Sequence, residues 1–396
     1  MKRLIAVLIC FALTFTLAVS SFASADEGDK PISDLTNPSV NTAAPEINAK
    51  SAVLMEAETG TVLFTKNAAE ALPPASVTKI MTLLLVAEAI AADEIKLEDK
   101  VTVSANAASM GGSQIFIKEG EQFTVEELLK SAVIASANDA SVALAELLAG
   151  SEDAFVSKMN ERAAALGMKN TVFENATGLD DTVENHTTSA YDIALMSREL
   201  LKHQTVTKYS NVWQDSIRDG EFILTNTNRL VRFYDGCTGL KTGSTDKAGF
   251  CVSATAKRGG MHLIAVIMGA ESRDERNNAA RALLDYGFAN FALYSDVGGY
   301  LEDVPVQYGR MDSVGISSSG FSKIVNKSDK ARIEKVYDIP DTLSAPLNKG
   351  EKIGTVTYKL GEEKIGEGSI LIDDSVERLG LLDIYWRVIR TILVGK

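Results

Sequence analysis

Residues 73–91 read PPASVTKIMTLLLVAEAIA and predict where one buried helix of the fold begins. The Pro73-Pro74 pair ends the preceding segment, because proline lacks the backbone N–H that helices and strands use. The run over residues 76–91 is then predicted to be helical. Its apolar residues fall on nearly every side of a helix, as is typical of a helix buried inside a domain: Ile80, Leu83, Leu84, Leu85 and Val86.

Ser76 and Lys79 bring a hydroxyl and an amine onto one face of this helix, because residues three apart lie one turn apart. A serine hydroxyl is a poor nucleophile at neutral pH unless a neighbouring base takes its proton. Ser76 also begins the helix, where free backbone N–H groups and the helix dipole favour developing negative charge. The pair is compatible with a nucleophile and its base, and also with a plain helix N-cap at Ser76.

A second hydroxyl and an amide occur at Ser136-Ala137-Asn138, in a break between two predicted helices. Thr124 and Glu127 form a capping-box pattern that opens the first helix, which runs to about Val133. The second helix is predicted over residues 138–148. Small residues surround the break, and by itself the triplet fits a capping turn.

The triplet Lys241-Thr242-Gly243 lies on a strand predicted over residues 236–244. Lysine and threonine point to opposite sides of a strand, and Gly243 leaves the backbone edge open to a ligand. Ser244 and Thr245 add two hydroxyls. A lone triplet of this kind is too common to indicate a function.

The remaining elements of this region predict helices around an antiparallel sheet. Thr59-Gly60 is the turn of a hairpin within residues 51–65, and Gly259-Gly260 joins two further strands. These strands cover residues 249–257 and 261–269. Apolar residues at helical spacing predict three more helices, over residues 154–166, 189–201 and 274–286.

Two interpretations are open for one pair of cysteines. Cys237 and Cys251 flank a turn centred near Ser244, so on an antiparallel hairpin they could lie opposite each other. Outside the cytoplasm they could then form a disulfide. The alternative is two small apolar residues of the core.

The sequence pattern changes after about Tyr294. Short alternating runs, separated by Gly and Pro turns, predict a second, all-β domain over residues 294–376. Residues 377–396 then form an amphipathic helix with the basic residues Arg387 and Arg390 and the aromatic residues Tyr385 and Trp386. This helix is too short and too charged to span a bilayer, but suits a membrane surface, which 378–396 would contact. Docking of the helix on the β domain is the alternative.

The first residues predict export. Residues 1–25 combine Lys2-Arg3, an apolar run and the small residues Ala23-Ser24-Ala25, as in a secretory signal peptide; a retained membrane helix is the alternative. Residues 26–48 are polar and proline-containing, and predict a flexible leader. Loss of Lys2 and Arg3 would take the formal net charge from −13 to −15. Such a charge argues against a nucleic-acid partner, which needs a basic face.

Together the three motifs are specific. Ser-x-x-Lys, Ser-x-Asn and Lys-Thr-Gly, in this order on a helix, a loop and a strand, are the signature of penicillin-binding proteins and serine β-lactamases. The chain resembles the low-molecular-mass penicillin-binding proteins that are D-alanyl-D-alanine carboxypeptidases. Further matching segments carry this resemblance across almost the whole chain after the signal peptide: residues 73–82, 138–140, 173–179 and 239–249.

The resemblance implies an α+β fold: a transpeptidase-like domain of antiparallel sheet and helices over residues 49–293, followed by the β domain and the terminal helix. It also implies an enzyme that removes the terminal D-alanine from peptidoglycan stem peptides ending in D-Ala-D-Ala during cell wall maturation. β-Lactams are the expected covalent inhibitors. The chain would work at the outer face of the cytoplasmic membrane.

The resemblance assigns a role to each motif residue. Ser76 is the nucleophile, Lys79 is the base for acylation, and Ser136 relays protons with Asn138, which also holds the substrate amide. Lys241 and Thr242, next to Gly243, face the terminal carboxylate. The backbone N–H groups of Ser76 and Ser244 form the oxyanion hole. Because Lys241 should approach Lys79, we expect Lys79 to be partly neutral at working pH.

Some features leave alternatives open. Several members of the family carry His where this chain has Ser244, and some carry an upstream Arg for the carboxylate, for which Arg229 and Arg232 are the nearest candidates. A serine β-lactamase is the runner-up: its class A form uses a Glu between the second and third motifs to activate water, and Glu174 lies in that interval, but its surroundings resemble the carboxypeptidases instead. A non-catalytic wall-binding or β-lactam-sensing protein is the alternative of another class. No metal site or cofactor is predicted, because the three histidines lack metal-ligand spacing.

Overall fold

The computed structural model describes residues 44–181 and 183–394. The predicted signal peptide and most of the predicted leader lie outside these residues. Ile47, just before the predicted start of the fold at Ala49, is already buried in the core, and its carbonyl accepts a hydrogen bond from Lys66 Nζ.

The strands and helices follow the chain in mixed order. The strands are β1 (Ser51–Glu56), β2 (Val62–Lys66), β3 (Lys100–Thr102), β4 (Gln122–Thr124), β5 (Gln214–Ile217), β6 (Phe222–Thr225), β7 (Cys237–Thr245), β8 (Gly249–Arg258), β9 (Met261–Ala270), β10 (Phe291–Asp296), β11 (Gly299–Gln307), β12 (Ser313–Ser318), β13 (Phe321–Asn326), β14 (Ile333–Asp338), β15 (Leu343–Ser344), β16 (Lys352–Leu360) and β17 (Glu363–Ile372). The helices are α1 (Lys79–Ala91), α2 (Ala105–Ser109), α3 (Val125–Ile134), α4 (Asn138–Ala149), α5 (Glu152–Ala165), α6 (Ala190–Leu200), α7 (Gln204–Thr207), α8 (Leu230–Phe233), α9 (Arg273–Asn290) and α10 (Leu381–Val394).

A five-stranded antiparallel sheet organises the first part of the chain, in the order β2-β1-β9-β8-β7. Its middle strands are almost wholly buried because helices cover both faces. One face packs on α9, and the other packs on the helices that surround α1. Strand β7, which carries the Lys-Thr-Gly motif, lies at the edge of this sheet.

Most predicted elements of this region form close to their predicted bounds. The Thr124–Glu127 capping box forms in full, with the Thr124 hydroxyl accepting from Glu127 N–H and the Glu127 carboxylate accepting from Thr124 N–H. The predicted start of the motif helix was wrong in detail. The first turn of the motif helix, Ala75–Thr78, is a 3₁₀ turn, and α1 begins at Lys79.

Of the two interpretations of Cys237 and Cys251, the facing pair is wrong, whereas the alternative of a core residue is confirmed for Cys251. The turn between β7 and β8 lies at residues 246–248, after the position predicted for it. Cys237 therefore pairs with Ala256, and Cys251 pairs with Gly243. Both thiols are free, with Cys251 buried in the core.

The second part of the chain is all β, as predicted. Its main sheet has six strands in the order β14-β16-β17-β12-β11-β15, and β10 pairs with β13 beside it. Strand β10 contributes to the core beneath α9 and to the core of the β domain. Phe291 packs with α9. Tyr294 contacts the stacked rings of Phe321 and Tyr358, whose centroids are 4.3 Å apart.

Helix α10 contacts the β domain through its polar side. Arg310 binds both Asp383 and Glu377, at 3.0 and 2.7 Å, and Arg387 pairs with Asp312. The apolar side of α10 remains open, with Leu381 87% and Trp386 65% exposed. Among the helices of residues 44–181 and 183–394, none has the length and apolar character needed to cross a membrane.

Candidate active site

Ser76 lies in a strained turn at the start of the motif segment. Pro73 and Pro74 lead into the 3₁₀ turn, and Ala75 adopts φ +48°, a conformation that L-residues rarely use. Such strain is found where the surrounding structure holds a side chain in one position. The Ser76 Oγ lies 3.0 Å from Lys79 Nζ.

Lys79 is fully buried and has three polar partners. Besides Ser76 Oγ, its Nζ contacts Asn138 Oδ1 at 2.6 Å and the carbonyl oxygen of Thr177 at 2.7 Å. Burial, and then the nearby charge of Lys241, hold the pKa of Lys79 well below its usual value. The expected neutral character of Lys79 agrees with this direction, although burial rather than Lys241 is the larger cause.

These contacts orient the amine. A neutral amine has two N–H donors and one lone pair. Asn138 Oδ1 and the Thr177 carbonyl are acceptors only, so both must receive N–H groups. In the neutral form of Lys79, the lone pair therefore faces Ser76 Oγ, the direction needed to take its proton.

The Ser136–Asn138 break is also held in a strained conformation. Ser136 has φ +62°, and its Oγ accepts a hydrogen bond from Lys241 Nζ at 2.8 Å. The Asn138 amide nitrogen donates to Gly111 O, and the Asn138 backbone N–H donates to Ser113 O, each at 2.7 Å. This loop is therefore held between residues 111–113 and Lys79.

Strand β7 closes the other side of the cleft. Burial lowers the pKa of Lys241 to about 7, with a smaller contribution from Arg276. Thr242 Oγ1 donates to Thr227 Oγ1 at 2.8 Å. Gly243 packs so closely on the Ser76 turn that a Cβ there would lie 2.7 Å from Ser76 N. The glycine is thus required by the approach of the two backbones, and Ser244 follows it along the cleft.

The cleft, of about 440 Å³, contains cations that sequence reasoning missed. Arg273 and Arg276 line it together with Arg229, whereas Arg232 stacks on Trp213. Arg276 is only 3% exposed, its guanidinium donates to Asn277 Oδ1, and among the described residues it forms no ion pair. Burial and the neighbouring arginines lower the pKa of Arg276 to about 10. The position of both arginines at the start of α9 was the available signal, but no sequence spacing connects α9 to β7.

The segment of residues 174–179 supplies the backbone acceptor of Lys79. Asn175 Oδ1 accepts from the backbone N–H groups of Thr177 and Gly178, which fixes the turn containing the Thr177 carbonyl. Gly178 has φ +80°, and a Cβ there would lie 1.9 Å from Ala75 O. The Glu174 carboxylate accepts from the backbone N–H of Asn185 at 2.9 Å and is thus engaged at an exposed loop.

The arrangement can therefore perform acyl transfer. It offers an activated hydroxyl, a buried amine with a directed lone pair, and a cationic cleft end that fits a carboxylate. The predicted residues that meet in this cleft are Ser76, Lys79, Ser136, Asn138, Lys241, Thr242, Gly243 and Ser244.

Comparison with known proteins identifies the family and relatives of this chain. Residues 38–272 match the family described as D-alanyl-D-alanine carboxypeptidase, peptidase S11, and residues 288–378 match the C-terminal domain of penicillin-binding protein 5. The chain is 43% identical over 390 residues to the D-alanyl-D-alanine carboxypeptidase DacF of Bacillus subtilis (strain 168), with 96% of each chain covered.

Solved structures that resemble this chain include penicillin-binding proteins. Penicillin-binding protein 5 from Haemophilus influenzae is 30% identical with a TM-score of 0.73, covering 85% of this chain and 100% of that one. Penicillin-binding protein D2 from Listeria monocytogenes, in its ampicillin-bound form, is 31% identical with a TM-score of 0.57, covering 62% of this chain and 100% of that one.

Proposed function

The chain belongs to the D-alanyl-D-alanine carboxypeptidase family of low-molecular-mass penicillin-binding proteins, and from this premise we propose how its residues release D-alanine from peptidoglycan stem peptides. It is a serine-type peptidase that acts as a D-Ala-D-Ala carboxypeptidase. The observation that supports the assignment of the base is the pair of carbonyl acceptors that direct the Lys79 lone pair at Ser76.

Acylation begins with proton transfer from Ser76 Oγ to neutral Lys79. The freed oxygen attacks the carbonyl carbon of the D-Ala-D-Ala bond, and the backbone N–H groups of Ser76 and Ser244 stabilise the developing oxyanion. Protonation of the departing amine, through Ser136 and Lys79, breaks the peptide bond and releases D-alanine. Water then hydrolyses the ester on Ser76.

The substrate lies extended along β7, with its amide held by Asn138. Its terminal carboxylate meets Lys241 and Thr242, and we add Arg276 to this subsite. A buried guanidinium without an ion pair to the described residues is well suited to bind a carboxylate, because the two match in geometry and charge. β-Lactams acylate Ser76 by the same route.

The reaction is tested by release of D-alanine from diacetyl-Lys-D-Ala-D-Ala. The protein should release D-alanine, Ser76→Ala should lose all release, and Ser157→Ala, at an exposed serine of α5, should behave as the parent. Absence of release from every pentapeptide tested would contradict the assignment. Fluorescent penicillin separates the lactamase alternative: a stable adduct supports the carboxypeptidase, whereas fast turnover supports a lactamase.

Where the enzyme works follows from the two ends of the chain. We propose that residues 1–25 direct export and that α10 holds the protein on the outer face of the cytoplasmic membrane. The ion pairs of Arg310 and Arg387 occupy the polar side of α10, which leaves the apolar side for lipid. Residues 49–293 would then form the catalytic domain and residues 294–376 a support beneath it, in an enzyme of cell wall maturation.

Membrane binding is tested by truncation and by a matched substitution. Removal of residues 378–396 should move the exported protein into the soluble fraction. A full-length variant with Leu382→Asp and Trp386→Asp should do the same, because both side chains are exposed on the apolar side. Continued membrane association of either protein would contradict the anchor.

A further inference from the structure

His186 links the turn that carries Ser76 and Lys79 to the segment that supports Lys79. The ring is 4% exposed, and its Nε2 lies 2.8 Å from Thr78 Oγ1. On its other side, Nδ1 lies 3.0 Å from the backbone nitrogen of Glu174. The edge of the ring packs against Phe173, with centroids 5.7 Å apart.

These two contacts settle the tautomer. A backbone N–H can only donate, so Nδ1 must be the unprotonated, accepting nitrogen. The proton of the neutral ring is then on Nε2, which donates it to Thr78 Oγ1. Burial lowers the pKa of His186 to about 4, so this neutral form persists at working pH.

Both partners of His186 are next to groups that hold Lys79. Thr78 immediately precedes Lys79 in the chain. Glu174 begins the segment whose Thr177 carbonyl accepts from Lys79 Nζ at 2.7 Å. The two segments also meet at Gly178, where no side chain fits against Ala75 O. Movement of one segment against the other would change the direction of the Lys79 amine.

We propose that His186 is a positioning residue for acylation: it fixes the spacing between the Ser76–Lys79 turn and the Thr177 carbonyl, and so keeps the lone pair of Lys79 on Ser76. The inference rests on the proposed role of Lys79 as base. It adds a residue that contacts neither substrate nor nucleophile but determines the geometry of both proton-transfer partners.

Loosening this link should also change the pH dependence of acylation. The charged groups near Lys79 are Lys241 and Asp139, and those near His186 are Glu174, Asp180 and Lys79 itself. Since burial is the main reason why the pKa of Lys79 is lowered, water admitted between the two segments would stabilise its charged form. The acid limb of the acylation profile should then move to higher pH.

Two substitutions break one contact of His186 at a time. His186→Asn keeps an acceptor near the Nδ1 position and loses the donor to Thr78. His186→Gln keeps a donor near the Nε2 position and loses the acceptor for Glu174. Thr78→Val removes the same hydrogen bond from the other partner. His262→Asn is the matched control, because His262 is also a largely buried histidine with a threonine partner, Thr238, on β7.

Acylation by fluorescent penicillin is followed as a function of pH, with the melting temperature of each variant. We expect His186→Asn and Thr78→Val to acylate roughly three- to tenfold more slowly, with the acid limb shifted upward and the His262→Asn profile unchanged. The double variant His186→Asn/Thr78→Val should acylate no more slowly than either single variant, since both substitutions remove the same hydrogen bond.

Unchanged rate and profile in folded His186→Asn and Thr78→Val would overturn the inference. If the histidine variants do not fold, Thr78→Val alone decides between the two results. Lys79→Ala is measured alongside: normal acylation in that variant removes the proposed base. Loss of acylation in Lys79→Ala with normal His186 and Thr78 variants removes only the positioning role.

Discussion

The Nζ of Lys79 lies 2.7 Å from the carbonyl oxygen of Thr177, a residue 98 positions further along the chain. The acceptor at this position is a backbone carbonyl rather than a side-chain carboxylate. A carbonyl cannot titrate, so it orients the amine at every pH without adding a negative charge that would favour its protonation. Burial therefore lowers the pKa of Lys79, while neutral acceptors hold its amine in place.

Replacing the base should stop acylation. Lys79→Ala is expected to lower the acylation rate by a factor of at least about a hundred, the usual contribution of a positioned general base. The rate is measured with fluorescent penicillin at several pH values. Lys202→Ala, at an exposed lysine that pairs with Glu199, provides the control and should acylate normally. Near-normal acylation by Lys79→Ala would show that another group accepts the Ser76 proton.

Substitutions at two glycines distinguish the effect of backbone strain from the effect of steric fit. Gly178 and Gly167 have similar positive φ values, +80° and +74°, but only Gly178 has atoms within 4 Å of a Cβ position. Gly167→Ala should lower the free energy of unfolding by roughly 1–2 kcal/mol through strain alone. Gly178→Ala should cost about 3 kcal/mol or more and also slow acylation, because Ala75 must move. Equal effects in urea unfolding and in acylation would contradict the packing argument.

The carboxylate subsite can be tested through Arg276. Arg276→Gln removes a charge-assisted pairing with the terminal carboxylate, which should raise KM at least about tenfold. Steady-state release of D-alanine gives KM and kcat separately. Arg332→Gln, at an arginine 67% exposed in the β domain, is expected to leave both constants unchanged. An unchanged KM for Arg276→Gln would assign carboxylate binding to Lys241 and Thr242 alone.

Stability should depend on the neutral buried histidines. Burial lowers the pKa of His186 and of His262 to about 4, against about 6.5 in the unfolded chain. Between these values the unfolded state binds more protons, so stability is fully present above pH 6.5 and is lost as pH falls towards 4. Each histidine can contribute about 3 kcal/mol to this loss.

The comparison of parent and His186→Asn isolates one of these contributions. The raised pKa values of Asp139 and Asp192, both caused by burial, act in the opposite direction at acidic pH and remain in both proteins. Urea unfolding between pH 7 and 4 should therefore give a shallower loss for the variant. Parallel curves would mean that His186 is protonated in the folded protein.

Local patterns predicted individual elements of the fold because they report neighbouring residues. The Thr124–Glu127 capping box, the Gly259-Gly260 turn and the Ser76–Lys79 spacing each act within a few positions of the chain. Their geometry is therefore visible in the sequence. That the helix, loop and strand motifs meet in one site was implied by the family resemblance.

Contacts between distant segments could not be predicted in this way. Arg276 enters the cleft because α9 packs across the sheet, and His186 reaches Thr78 because an irregular segment folds behind α1. The error at Cys251 has a similar cause, since a turn placed a few residues early changes every pairing along β7 and β8. Register is a property of two strands together, and one strand alone does not define it.

The edge position of β7 has a consequence beyond catalysis. Unpaired backbone groups along a sheet edge are a template on which strands of other molecules can assemble. Here that edge lies in a cleft of about 440 Å³, of the size that admits a single small ligand. The walls of this cleft therefore stand between β7 and the strands of other molecules. The groove proposed to hold the substrate thereby also shields one of the two edges of this sheet, the β7 edge, whereas β2 forms the other.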